Sequence, residues 1–324
     1  MFMALRGYLA TLLLITSTYY AEGQDTWYGP GFQTMVMRNP AFSGSEGDGI
    51  LRISYMNFYP GNHYNLHSVY LSYDSYVPVL HGGAGLHISS DYLGGIINDI
   101  RSGFSYAYFL KAGNDFYING GLSASVYRRA FSFRGAVLPD QIDPTGIVAW
   151  PSGETLANRG RTVFDIGTGF IFSGPVFTGG FSINHLAEPT LSEKGSPADR
   201  IMRRLLIHLS ADIGMGGRGT YSLQPLALAE MQDRFFIAGA GASAGNDSFK
   251  VNVICLAGNN NNIDFQTGFS LRTGRMAIYY NYLFNIVSGN TSMPFSLLHQ
   301  TGVSFSLNSV EKRYIMKTIK YPDL

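Results

Sequence analysis

A serine and a histidine lie three residues apart in the segment "FSINHLAEP", and these residue types can supply the nucleophile and the general base of a hydrolase. On an extended strand Ser182 and Asn184 share one face, whereas strict alternation places His185 on the other face. A catalytic arrangement would therefore need a β-bulge. We expect instead that His185 lies at the rim of the fold, where the loop "LAEP" begins.

Other candidates for chemistry are metal ligands and phosphate-binding glycines. His63 and His67 are four residues apart, a spacing that brings two ligands together only on a helix. Asp140, Asp143 and Glu154 have oxygen ligands of the kind that calcium prefers, but they follow no recognised spacing. The segments "GGAGLH" and "GGRG" lack the lysine of a phosphate-binding loop. The sequence therefore predicts a non-enzymatic protein with no cofactor and no metal.

The composition is unusual for a soluble protein of 324 residues. Charged residues make up 14% of the chain, against about a quarter in typical domains, while there are 39 glycines, 22 phenylalanines and 21 tyrosines. The net charge of +1 gives no indication of nucleic-acid binding. A chain with few charges, many aromatic residues and no long apolar helix is typical of an outer-membrane β-barrel.

Residues 1–23 resemble a secretory signal peptide. Arg6 provides a positive start, Tyr8 to Ala21 form an apolar run, and small residues precede a possible cleavage site ahead of Gln24. An uncleaved anchor is the alternative, although a spanning helix needs roughly 20 apolar residues. The lone cysteine, Cys255, excludes a disulfide within one chain.

Apolar and small or polar residues alternate along many segments of 9 to 11 residues, as expected for strands that cross an outer membrane. In "VFDIGTGFIF", large apolar residues alternate with Asp165, Gly167 and Gly169, and in "FKVNVICLAG" Cys255 falls on the apolar, lipid-facing side. This period predicts an all-β, antiparallel up-and-down transmembrane β-barrel of about 14 strands. The predicted strands lie near 48–58, 65–76, 82–91, 100–110, 115–126, 162–173, 175–185, 200–213, 219–230, 233–245, 248–257, 263–272, 275–286 and 297–307.

The links between these segments alternate between short ones, such as "SGP" and "TGR", and mostly longer ones, such as 127–161 and "LAEPTLSEKGSPAD". Outer-membrane barrels have short periplasmic turns and long extracellular loops. An even number of strands then places both termini in the periplasm. A soluble β-sandwich or propeller would expose charged residues on its solvent face, and such a face is missing from the predicted strands.

Several motifs occur in a specific order along the chain: "QDTWYGPGFQ", "NPAFSG", "YMNFYP", "SYDSYVP", "GGAGL", "DQIDPTG", "FDIGTGF", "GGFSINHLAEP", "IYYNYLFN" and "LLHQTGVSF". With these motifs the sequence resembles the PorP/SprF family of outer-membrane proteins, which is associated with type IX secretion and gliding motility in Bacteroidetes. The resemblance implies a component or accessory of the secretion machinery that engages its other components and the C-terminal domain of a secreted adhesin. The run 56–58 departs from the family by lacking an arginine.

The motif "MRNPAFSG" lies between the predicted signal peptide and the first strand. A lumen of 14 strands is too wide for inward side chains alone to fill, and residues 24–47 carry more apolar side chains than a free linker should expose. Asn39, Pro40 and Gly44 favour a tight turn, and Ala41 permits close approach to the wall. We therefore predict an inward-folded hatch or plug anchored by Phe42, with a periplasmic strap as the alternative.

The long link 127–161 combines guanidinium groups with aromatic rings, a mixture suited to contact with a protein or lipopolysaccharide. Anchoring of the barrel rim is the alternative for these arginines, and we expect the same anchoring role for Arg200, Arg203 and Arg204. The candidate contact residues are Arg128, Arg129, Phe131, Phe133, Arg134, Trp150, Arg159 and Arg161.

The sequence thus divides into a signal peptide (1–23), a hatch or strap (24–47), a barrel (48–307) and a periplasmic tail (308–324). The tail is either a disordered end or a docking element for a periplasmic partner. A second functional class remains open, that of a FadL-like or porin-like channel for hydrophobic or small solutes. Fatty-acid-transport barrels of that class also have 14 strands and an Asn-Pro-Ala motif in an N-terminal hatch.

Overall fold

The computed structural model describes residues 25–47, 49–60, 66–133, 137, 139–143, 147–148, 160–191, 200–215, 221–259, 262–287 and 297–308. The predicted signal peptide and residues 309–324 of the predicted tail lie outside this described part.

Fifteen strand segments occur in the described residues. They are β1 (Gly49–Phe58), β2 (Leu66–Val77), β3 (Gly82–Leu93), β4 (Ile97–Lys111), β5 (Tyr117–Phe131), β6 (Gly160–Ser173), β7 (Phe177–Asn184), β8 (Arg204–Ala211), β9 (Ile213–Met215), β10 (Tyr221–Gln232), β11 (Phe235–Gly245), β12 (Phe249–Gly258), β13 (Ile263–Thr273), β14 (Met276–Val287) and β15 (Leu297–Asn308). Because β8 and β9 both pair with β10 and only Asp212 separates them, they count as one strand of a 14-stranded wall.

The strands form a closed barrel. Each strand pairs antiparallel with the next along the chain, β10 pairs with β11, and β15 returns to pair with β1. Closure leaves no exposed sheet edge. The predicted up-and-down barrel of about 14 strands is confirmed. The largest differences in the boundaries are at β5, which continues to Phe131 instead of 126, and at β8, which begins at Arg204 instead of 200.

Burial alternates along the strands as the period of two requires. In β12 the side chains of Phe249 and Val253 are exposed, whereas Lys250 and Asn252 are buried, and Cys255 is exposed on the outer side. Bulky apolar residues thus cover the outside of the wall and polar or small residues face inward. This arrangement suits a barrel surrounded by lipid.

The two ends of the barrel differ in their connections. At the end where Gly49 pairs with Asn308, links such as 174–176 and 274–275 are tight, and we call this the short-turn end. At the opposite, long-loop end are 59–65, 132–159, 185–203 and 288–296. The link "YLGGIIN", expected to be long, is short because β3 and β4 extend to within three residues of each other, and 233–234 is a two-residue turn.

Residues 25–47, here called the luminal segment, precede β1 and lie inside the barrel. They include a short α-helix (Met35–Arg38) and 3-10 turns at Phe32–Thr34 and Pro40–Phe42. Tyr28, Met35 and Phe42 pack in one buried cluster with inward side chains of the wall, among them Tyr70 and Ile254. The core therefore lies in the lumen, between the segment and the wall. The described residues contain no helix with the length and apolar character needed to cross a membrane.

Candidate functional site: the luminal segment

The luminal segment runs along the length of the barrel. At the short-turn end, the amide of Gly44 donates to Asp74 Oδ2 at 2.8 Å, just before the chain enters β1. At the other end of the segment, the Asp25 amide donates to Gln232 Oε1 at 3.3 Å, and Gln232 closes β10 at the long-loop end. The first described residue thus lies at the opposite end of the barrel from Gly49.

The predicted periplasmic position of both termini stays a prediction, because residues 1–24 and 309–324 lie outside the described part. The ends of the wall, Gly49 and Asn308, do meet at the short-turn end. Counting strands gives no information on the luminal segment, which carries the chain back through the lumen to the long-loop end. Long-range contacts alone determine that path, and the local sequence pattern does not record them.

The motif around Asn39 forms a tight turn that directs the chain toward the wall. Asn39 Oδ1 accepts a hydrogen bond from the Ala41 amide at 3.0 Å, and Pro40 begins a 3-10 turn. The amide group of Asn39 also donates to the carbonyls of Phe170 and Phe181 at 3.4 and 3.3 Å. One fully buried side chain therefore fixes both the local turn and its position on β6 and β7.

Glycines in the wall admit this turn. A Cβ on Gly121 of β5 would lie 2.5 Å from the carbonyl carbon of Pro40 and closer still to the Ala41 nitrogen. Gly44 has a φ of +68°, and a Cβ there would be 2.6 Å from Gly83 Cα. Real Cβ atoms do not approach backbone so closely, so the segment and the wall touch backbone to backbone at these points.

Phe42 lies between this turn and the inward side of β8. Its ring is 5.3 Å from the ring of His208, centroid to centroid, and the residue is 4% exposed. Aromatic pairs at this separation contribute beyond the area they bury. Of the predicted hatch residues, the structure thus brings Asn39, Pro40, Ala41, Phe42 and Gly44 against the inner wall.

Arg38 forms the central ionic contact of the segment. Its guanidinium pairs with Glu230 of β10 and donates to the Gly29 carbonyl at 2.9 Å. Its own carbonyl accepts from Ser182 Oγ and Asn184 Nδ2, both at 2.7 Å. A buried charge is tolerated only when it is paired and hydrogen-bonded, and both conditions are met here.

A second ionic cluster holds the start of the segment. Asp25 Oδ1 is 2.7 Å from Arg101 Nη2, and Asp25 Oδ2 contacts His185 Nε2. The other ring nitrogen of His185 is 2.7 Å from Asp165 Oδ2. Burial raises the pKa of Asp25, but the charges of Arg101 and His185 outweigh it and hold the pKa well below its usual value. Burial lowers the pKa of His185, and the two carboxylates reverse that effect and raise it.

The position of His185 corrects the sequence interpretation. His185 is 2% exposed and lies among carboxylates inside the long-loop end, not at the rim. Its φ of +58° breaks the strict alternation and turns the side chain to the inner side. The Ser182 hydroxyl donates to the Arg38 carbonyl, whereas His185 contacts Asp25. Ser182 and His185 thus hold the luminal segment at separate points.

The three arginines expected to anchor the rim divide into two kinds. Arg200 and Arg203 are exposed and both contact Glu188, as a rim position allows. Arg204 is 4% exposed and pairs with Glu230 inside the barrel, which corrects the expectation for this residue. Arg204 is the first residue of β8, and the alternation of that strand directs its side chain into the barrel.

The residues proposed for external contact are also divided. Arg128, Arg129 and Phe131 belong to β5 and Arg161 to β6, so part of the predicted loop 127–161 is strand. Arg129 turns inward and pairs with both oxygens of Asp99 at 2.8 and 2.6 Å. Arg128 is exposed on the outer side, and the rings of Phe131 and Phe133 stack at 6.4 Å. Three more of these residues lie outside the described part: Arg134, Trp150 and Arg159.

Sequence reasoning missed the charged partners of the luminal segment. Asp25, Arg101 and Glu230 were assigned no role, although each is nearly or fully buried. One signal was available, since a charged residue at an inward position of a charge-poor barrel is a candidate functional residue by default. For metal ions, no group of three or more suitable ligands occurs in the described residues.

Comparisons with known proteins agree with this fold. Among solved structures, a TodX mutant described as a monoaromatic hydrocarbon channel matches with a TM-score of 0.51 and 11% identity, covering 89% of this chain and 96% of that one. The Pseudomonas putida toluene transporter TodX matches with a TM-score of 0.50 and 9% identity, covering 88% and 96%. At such identities the likeness shows the fold alone. Among curated proteins no match is found.

The sequence itself gives the family. Residues 21–305 match the family model described as type IX secretion system membrane protein PorP/SprF. This range includes the luminal segment and nearly the whole barrel, which together carry the motifs on which the resemblance rested. The chain therefore belongs to the PorP/SprF family of type IX secretion system membrane proteins.

Proposed function

We propose that this protein is a non-enzymatic outer-membrane component or accessory of the type IX secretion machinery that binds secreted or surface adhesin proteins at its long-loop end. In this proposal the luminal segment is a plug, so that the barrel acts as a binding platform and does not conduct solutes. The observation that supports the proposal is the buried Arg38–Glu230 pair, which joins the segment to β10.

Contacts around the circumference support a closed lumen. The segment is hydrogen-bonded to β2 through Asp74, to β4 through Ser105, to β7 through Ser182 and to β15 through Gln300. These four strands lie along about half of the wall, and the Arg38–Glu230 pair adds a contact with β10 beyond them. A freely conducting channel would need an unfilled path past all of them. The binding role is therefore favoured over the alternative of a solute channel.

The long-loop end offers a surface for the partner. Arg128 is exposed there, and the stacked rings of Phe131 and Phe133 lie beside it in sequence. Arginine and aromatic residues are enriched at the energetic centres of protein interfaces. We include Arg134, Trp150, Arg159 and Arg161 in the proposed contact surface, with the C-terminal domain of an adhesin as the partner.

Co-purification from outer membranes tests this proposal. The tagged wild-type protein should recover other type IX components or an adhesin C-terminal domain, and Arg128→Glu should reduce recovery of the adhesin domain. Lys111→Glu is the matched control, because Lys111 is exposed at the short-turn end and should not affect an external partner. Recovery of no partner by the wild-type protein, or equal losses in both variants, would contradict the proposal.

Conductance distinguishes the platform from the channel. The purified wild-type protein in a planar bilayer should show no steady open conductance, because the luminal segment fills the lumen. A steady conductance without any partner protein would favour a channel for small or hydrophobic solutes instead.

A further inference from the structure

A second feature lies at the short-turn end, away from the proposed external surface. A cavity of about 70 Å³ opens between the luminal segment and strands β13, β14, β15 and β1. Its polar lining comes from Glu46, Arg52, Arg272, Arg275, Ser304 and Ser306. Three guanidinium groups thus meet at one small cavity in a chain that has few charges.

The pairing register explains why there is space between them. Arg272 pairs with Ala277, Ala277 with Ser304, and Ser304 with Arg52, so the four residues form one row across neighbouring strands. Arg52 and Ser304 lie on the inner side of the wall. Neighbouring strands are about 4.8 Å apart, and the two small side chains in the middle of the row leave a gap between the arginines.

The arginines at this cavity differ in their ionic partners. Arg52 is 4% exposed and is held by Asp74 and Glu46, whose two negative charges exceed its own by one. Arg272 and Arg275 have no carboxylate partner within ion-pair distance among the described residues; Asp247 shares a neighbouring cleft with Arg272 without pairing to it. Among the described residues, Arg272 and Arg275 therefore line the cavity without an ion-pair partner.

One buried donor also lacks a partner. The Nε of Arg52 is buried and makes no hydrogen bond, although both of its terminal nitrogens are paired. Most buried donors in proteins are hydrogen-bonded, and this one belongs to a side chain that lines the cavity. Together, the unpaired guanidiniums and this donor indicate an anion.

We propose that this cavity is a binding site for an oxyanion, namely a carboxylate or a phosphate group that enters from the short-turn end. Guanidinium groups form paired, charge-assisted hydrogen bonds to both kinds of oxyanion. A water needs a cavity of roughly 10–15 Å³, so this one admits a group larger than one water. By the barrel convention this end faces the periplasm, where the anion is either an acidic group of a partner protein or free phosphate.

Calorimetric titration of the purified protein with inorganic phosphate, at constant ionic strength in chloride, tests the site. The wild-type protein should bind phosphate, and the double variant Arg272→Gln, Arg275→Gln should bind it about tenfold more weakly or worse, since two charge-assisted contacts are lost. Arg234→Gln removes an exposed arginine at the other end of the barrel and should leave binding unchanged. Absence of phosphate binding to the wild-type protein, or equal binding by the double variant, overturns the proposal.

A second titration identifies the source of the anion. A short acetylated peptide with a free C-terminal carboxylate is compared with the same peptide ending in an amide. Stronger binding of the free carboxylate, lost in the double variant, assigns the site to a partner protein, whereas binding of phosphate alone assigns it to the free ion. Both arginines are exposed near a turn, so the variants should fold, and the heat-dependent gel shift of intact barrels checks this.

Discussion

Arg38 in the luminal segment and Glu230 in β10 form an ion pair in which each side chain is only 1% exposed. The two residues are far apart in sequence, because Arg38 precedes the first strand and Glu230 belongs to the wall. Their pairing joins the luminal segment to the wall where water cannot screen the charges. The segment is therefore bound by interactions that are costly to break.

Arg38→Met should destabilise the protein by about 3 kcal/mol, the lower end of the cost of breaking a buried ion pair. We choose the lower end because Arg204 still compensates Glu230. The free energy of unfolding in urea measures the effect. Arg203→Met is the matched control, because the Arg203 side chain is 57% exposed and its contact with Glu188 contributes about 1 kcal/mol or less. Equal effects of the two substitutions would exclude a special role for the buried pair.

The stability of the segment should also depend on pH through Asp25 and His185. His185 has a raised pKa in the folded protein, so its contribution is present below the unfolded pKa of about 6.5 and is lost as the pH rises through the folded pKa. Asp25 has a lowered pKa, so its contribution is present above about pH 4 and is lost as the pH falls further. We therefore expect the unfolding temperature to decline toward both extremes.

His185→Gln should remove the decline on the alkaline side and leave the acidic one. The measurement is the unfolding temperature at a series of pH values for the variant and the wild-type protein. His67→Gln serves as the control, since His67 stacks on Tyr92 near the start of β2 and contacts neither carboxylate. An alkaline decline that persists in the His185 variant would show that another group causes it.

The barrel could be predicted because the sequence patterns that identify its strands and turns lie within short segments. Alternation with a period of two identifies each strand from its own residues, as in β12, and tight turns mark the short-turn end. The tight turn of the motif Asn39 to Gly44 could also be predicted, because it depends on contacts between neighbouring residues.

What the sequence could not show depends on contacts between distant residues. The sequence predicted Arg129 as an external contact and Arg204 as a rim anchor, because alternation does not reveal that Asp99 and Glu230 lie beside them inside the barrel. The predicted position of His185 was wrong because its positive φ turns its side chain from the outer to the inner side. The route of the luminal segment depends on pairs such as Asp25 with Arg101, which no local pattern encodes.

The backbone contact between Ala41 and Gly121 gives another prediction. Gly121→Ala should destabilise the protein by about 1–3 kcal/mol, because the added Cβ meets backbone that cannot rotate away. Urea unfolding again provides the measurement. Gly113→Ala is the control, since the nearest atom to its Cβ would be Phe116 Cβ at an ordinary 3.5 Å. If both substitutions are neutral, the segment does not press against β5 as described.

The route of the luminal segment predicts where its start is accessible. An epitope inserted directly before Asp25 should bind antibody on intact cells, because Asp25 lies at the long-loop end, which faces outward by the barrel convention. An epitope in the turn Gly274–Arg275 should bind antibody only after the outer membrane is permeabilised. An epitope before Asp25 that requires permeabilisation would contradict the route.

Removing the luminal segment should open the barrel if it acts as the proposed plug. Deletion of residues 25–44 removes Arg38, Asn39 and Phe42 together with their contacts, and the remaining lumen is too wide for inward side chains to fill. We expect steady conductance in planar bilayers, absent from the wild-type protein. Because the deletion also removes much of the core, folding is checked by the heat-dependent gel shift, and Arg38→Met provides a second test, with brief openings expected as its ion pair is lost. A folded deletion variant that stays closed would show that the wall or its loops, and not the luminal segment, block the lumen.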